Sequence, residues 1–84
     1  MSSFMGGSAF AMASQIAEGY ILVTNATIKK LNKSERVSLE AELEKILRDI
    51  RGEQPPLDDT PALQKRNRKI SRINQAKMIV RNAP

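Results

Sequence analysis

Cysteine, histidine and tryptophan are absent from this chain, and its aromatic residues amount to two Phe and one Tyr. No Cys means no disulfide and no thiolate, and the joint loss of Cys and His removes the common zinc sites and imidazole acid–base chemistry. A nucleophile would have to be Ser, Thr or Lys, and a base a carboxylate or a perturbed Lys. The carboxylates on offer, Glu40, Glu42, Glu44 and Asp49, sit in a densely charged stretch whose pattern is that of a solvated helix face. Asp58-Asp59 lacks the further oxygen ligands that a divalent ion needs. Gly6-Gly7 lacks the later glycines and the Lys-Ser/Thr of a phosphate loop. No catalytic residue, no cofactor and no metal ligand is therefore expected, and the chain does not read as an enzyme.

Long apolar runs are missing too. Residues 1–28 contain Glu18 as their one charge, but Ser, Gly, Gln, Asn and Thr dilute the segment too much for a membrane span. The first basic residues, Lys29 and Lys30, follow the neutral stretch instead of preceding it, which is the wrong order for a secretory signal. A cytoplasmic location is the expectation, and Asn25-Ala26-Thr27 then matches the glycosylation pattern by chance.

What the chain does have is length for one small core. Its 84 residues leave no room for a second. A domain of this size hides only about 60–65% of the surface its unfolded chain exposes, so stability is marginal. Small proteins of this kind lean on disulfides, a metal or a partner. With the first two excluded, a partner or an oligomer is expected.

Charge divides the sequence into steps. Residues 1–28 are nearly neutral, 29–53 mix both signs densely, 54–59 form an acidic connection with two prolines, and 61–84 carry seven basic residues and no acid. In the second step Leu39, Leu43, Ile46, Leu47 and Ile50 recur on one helical face. Asn32 and Glu35 have capping-box spacing, although Ser34 competes as N-cap. Gly52 can take the left-handed conformation and Pro55-Pro56 cannot continue a helix, so this helix should stop near Arg51. A further helix should start with Thr60 as N-cap and Pro61 at N1, with Leu63, Ile70, Ile73 and Val80 on a narrow stripe. The short connection folds the two helices into an antiparallel hairpin over 32–84, and the Glu-rich and Lys/Arg-rich faces favour that pairing.

The N-terminal part, 1–31, is more ambiguous. Small residues at Ala9, Ala13 and Ala17 and larger ones at Phe10, Ile16, Tyr20 and Val23 suit a closely packing helix from Ala9 to Leu31, whereas Tyr20 to Thr24, after Gly19, is rich in strand formers. The fold class is all-α: a small helical hairpin or three-helix arrangement with an extended or helical neutral arm.

Two candidate surfaces follow. The neutral arm would expose Phe4, Met5, Phe10, Met12 and Ile16 to a neighbouring chain, with Tyr20 beside them, and Phe4, Phe10, Ile16 and Tyr20 are its expected contact residues. The run from Lys65 to Arg81 sets Lys65, Arg68, Lys69 and Arg72 at i, i+3, i+4 and i+7, one continuous basic stripe on a helix. Such a stripe can neutralise phosphates, and a net charge of +5 fits that use. No aromatic accompanies it, so stacking on single strands is not expected. The leading expectation is a non-catalytic helical component of a larger assembly, contacting other protein subunits through the arm. The alternative is a basic accessory protein binding DNA or RNA through residues 65–81.

Overall fold

A computed structural model describes Phe4 and residues 6–83. It is all-helical, with four helices in the order α1 (Ala9–Glu18), α2 (Asn25–Lys29), α3 (Lys33–Gly52) and α4 (Thr60–Asn82), and no strand among the described residues.

Each helix end follows from local chemistry. Asn32 caps α3 by accepting from the Glu35 N–H at 2.8 Å, while the Glu35 carboxylate accepts from the Asn32 N–H at 2.9 Å. The capping box expected from the spacing is thus complete, and Ser34 lies inside the helix. At the far end Gly52 remains helical and Glu53 turns extended at φ −111°. The left-handed exit expected at Gly52 is not used. Gln54 precedes Pro55, which disfavours helical backbone at that residue and ends the helix without help from glycine. The start of α4 also shifts by one residue: Asp59, not Thr60, is the N-cap, its Oδ1 accepting from the Ala62 N–H at 3.2 Å. An ionised cap gains from the helix dipole as well as from the hydrogen bond, which favours Asp over the neighbouring Thr.

α3 and α4 pair antiparallel. Near their connection the Arg66 Nε donates to the Ile50 carbonyl at 3.4 Å, further along Lys77 meets Glu44, and furthest from the connection Arg81 meets Glu40 at 2.5 Å. Leu39, Leu43 and Leu47 from α3 are buried with Ile73, Ala76 and Val80 from α4. Ile46, Ile50 and Ile70 pack partly buried at the margin, and Leu63 is half-exposed near the connection.

α1 is not an arm laid aside for a partner. It packs on both long helices and contributes Met12, Ala13, Ile16 and Ala17 to the same core. Its start is capped by Ser8, whose Oγ accepts from the Ala11 N–H at 3.0 Å. Its end is a Schellman turn at Gly19, with φ +84°, the Gly19 N–H donating to Ile16 O and the Tyr20 N–H to Gln15 O. A continuous helix to Leu31 is therefore interrupted. Residues 21–24 are neither helix nor strand, with a bend at Ile21 and extended backbone at Thr24, and burial alternates along them: Val23 is buried and Ile21 half-buried while Tyr20, Leu22 and Thr24 are exposed. Their inward residues pack on helices instead of on a neighbouring strand. α2 then drops Ile28, and the turn after it Leu31, into the core. The result is an elongated body of 44 × 19 × 18 Å.

Candidate functional site

The basic stripe of α4 was expected as one surface, and its members have different fates. Lys69 Nζ lies 2.8 Å from Glu18 Oε1 at the end of α1. Arg72 donates from Nε at 3.0 Å and from Nη2 at 2.7 Å to the Ala17 carbonyl. That oxygen belongs to the last turn of α1, where unpaired carbonyls carry the negative end of the helix dipole. Arg66 performs the same service at the end of α3, and Lys77 and Arg81 are engaged by Glu44 and Glu40. Lys65 and Arg68 are exposed and make no ion pair among the described residues. Of the seven cations on α4, five serve to hold the helices together.

These pairs set the local titration. The Lys69 hydrogen bond holds the Glu18 carboxyl below its ordinary value of 4.5, assisted by the charges of Lys69, Lys65 and Arg72. The Lys77 ammonium does the same to Glu44, and hydrogen bonding to Glu40 raises Arg81 above its usual range. The α4 face that meets α1 and α3 thus sets its basic side chains against Glu18, Glu40, Glu44 and the helix-end carbonyls of Ala17 and Ile50. No group of three or more His, Cys, Asp or Glu among the described residues gathers as a metal site.

The four contact residues expected of the arm do not form one patch. Ile16 is a correction: at 2% exposure it belongs to this chain's own core, as does Met12, because the Ala13 and Ala17 spacing lets α1 approach α3 and α4 closely. Phe4 packs half-buried against that core. Met5 lies outside the described residues. Phe10 is 62% exposed beside a groove lined by Ser14, Glu18, Ile46, Ile50 and Lys69. Tyr20, 80% exposed, stands instead just before the non-helical segment 21–24.

That second location holds a feature not singled out from the sequence. Ile21, Leu22 and Val23 form one wall of an apolar pocket whose other wall is α4, at Arg72, Gln75, Ala76 and Ile79. Leu22 is 78% exposed at its edge, and Arg72 closes one end with its charge. Arg68 lies one helical turn from Arg72 on the same side of α4, so the pocket passes from apolar to cationic along one face. The sequence sets no phase here, because Tyr20, Ile21, Leu22 and Val23 are four apolar side chains in a row, so the outward setting of Leu22 comes from the fold.

One more exposed apolar residue stands out. The connection between α3 and α4 closes in a turn in which the Asp59 N–H donates to Pro56 O at 3.0 Å. Leu57, 80% exposed, sits in this turn with Asp58 beside it. No family model matches the chain, and no curated protein and no solved structure matches it either. No described helix is long and apolar enough to cross a membrane.

Proposed function

We propose that this chain is a non-catalytic helical subunit that acts by binding other protein chains within a larger assembly. The observation that carries this reading is the exposure of Leu22 in the wall of an apolar pocket, with exposed Tyr20 two residues before it, on a chain whose core is already closed by α1. Large apolar side chains gathered at one exposed place favour a protein partner, because covering them removes apolar surface from water. The engagement of five α4 cations within the chain supports the same reading, since it leaves less charge for a polyanion. Capture of the intact chain from its native source after nuclease treatment tests it. The expected result is a stoichiometric protein companion, or further copies of the chain, that resists added salt. Recovery of nucleic acid alone would count against it.

A second reading keeps one specific support: Lys65 and Arg68 stand exposed, without an ion pair among the described residues, on a chain of net charge +5. Acting on DNA or RNA phosphates, they would give salt-sensitive binding without sequence preference. Lys65→Gln with Arg68→Gln should then weaken retention on immobilised DNA or RNA and flatten the logarithmic salt slope by about one per cation removed. Wild-type protein that is not retained at low salt excludes this use.

A further inference from the structure

We infer that the pocket between segment 21–24 and α4 receives the Leu57 turn of a second copy of this chain, giving head-to-tail self-association. The inference rests on the reading of the chain as an assembly component and specifies its surface and its partner.

The two halves match in chemistry. The receiving half is an apolar slot between Ile21, Leu22, Gln75 and Ile79, closed at one end by Arg72, with Arg68 one turn beyond. The inserting half is Leu57, an apolar side chain standing in solvent on an acidic connection between Glu53 and Asp58. Asp58 has no ion-pair partner among the described residues, nor does Glu53. Leu57 in the slot places the adjacent Asp58 next to the cationic end, where Arg68 has no carboxylate partner among the described residues. Each copy thus supplies what the other lacks: an uncovered Leu with an unpaired acid against an uncovered slot with an unpaired base.

Two structural facts favour another copy over the same chain. Along α4, at 1.5 Å per residue, Gln75 lies roughly 24 Å from Asp59, so a chain's own Leu57 is far from its own slot. The turn is also held in advance, by the Asp59 N–H to Pro56 O hydrogen bond and by Asp59 capping α4, which reduces the ordering cost of docking. Because slot and turn are different patches, the contact is heterologous: a bound pair still offers one free slot on one copy and one free turn on the other. A single-loop contact is small, so the association is weak and depends on concentration.

Sedimentation velocity of the full chain over a wide concentration range tests this. Wild type should form species that grow with concentration. Leu57→Asp and Leu22→Asp, both at exposed positions and both checked for retained helicity by circular dichroism, should each weaken self-association at least ten-fold. Mixed, these two variants should recover a one-to-one complex and nothing larger, because each keeps one intact half. A labelled peptide spanning residues 53–60 should bind wild type and Leu57→Asp but not Leu22→Asp. Arg68→Glu should weaken association, and Asp58→Lys added to the same chain should restore it. Wild type that stays monomeric and ignores the peptide overturns the inference. So does a Leu57→Asp variant that associates like wild type, or a mixture that stays monomeric. Those failures leave the assembly reading to its own test, because a different protein companion captured from the native source would sustain it without the Leu57 contact.

Discussion

Arg72 shows how much one side chain can be asked to do. Its guanidinium holds the Ala17 carbonyl through two donors, lies against Gly19, and closes the apolar pocket. Arg72→Ala should destabilise the chain by about 1–3 kcal/mol, the usual cost of removing a charged donor and leaving a half-buried acceptor unpaired. Arg72→Lys keeps the charge but loses the fork, so it should recover only part of the loss. Urea denaturation of the two variants measures the difference, and equal stability of Arg72→Ala and wild type would remove the cap from this account. Gly19 is constrained from both sides: its φ is +84°, and a Cβ there would stand 3.3 Å from the Arg72 Cζ. Gly19→Ala should therefore cost on the order of 1 kcal/mol or more in the same assay. Neither role could be read from the sequence. Arg72 repeats the spacing of Lys65, Arg68 and Lys69, and a helical wheel cannot tell which of four equivalent cations meets a carbonyl 55 residues earlier. Glu18 stood out in the sequence only as the one charge of a neutral segment, and its pairing with Lys69 comes from the fold.

At the scale of helices, α3 was the most legible element because its signals are local. The Leu39, Leu43, Leu47 periodicity and the Asn32/Glu35 spacing need no knowledge of tertiary neighbours. Leu43→Ala should cost about 2–5 kcal/mol and lower the thermal midpoint accordingly, since that side chain is fully buried. α1 was less legible. Its small residues permit close packing against any helix, inside or outside the chain, and composition alone does not choose. Only the tertiary fold shows Ala13 and Ala17 buried in a helix that packs on α3 and α4. The links between helices also carry a pH dependence. Glu18 and Glu44 have depressed folded-state values, so their contribution is fully present above the ordinary glutamate value of 4.5 and is lost as pH falls through their lowered values. Thermal midpoints should hold steady from neutral pH down to about 5 and fall below it. Glu18→Gln with Glu44→Gln should reduce that acid slope, and an unchanged slope would place the responsible carboxylates elsewhere.

For the molecule as a whole, the radius of gyration of 13.3 Å exceeds the roughly 12 Å typical of a compact domain of this length. The excess reflects two long helices with two shorter ones packed on them, in a body 44 Å long and under 20 Å across. Among the described residues, α1 supplies Met12, Ala13, Ile16 and Ala17 to a core whose other large members are Ile28, Leu39, Leu43, Leu47 and Ile73. Deleting residues 1–18 should therefore abolish cooperative unfolding instead of leaving an intact hairpin. Circular dichroism melts decide the point, and a sharp transition in the truncated chain would show that α3 and α4 suffice.

The bond from Arg72 to Ala17 also sets an order of events when the chain is made. A ribosome adding about 5–20 residues per second needs roughly 3–11 s to pass from the carbonyl to the guanidinium that caps it. During that interval α1 has left the tunnel without the helix that completes its shelter. α3 emerges in the meantime and can cover one side of α1, but the side bound for α4 waits longest. The mild composition of residues 1–28, with alanine and serine between the larger apolar residues, suits a segment that must spend its first seconds in water before its last neighbour arrives.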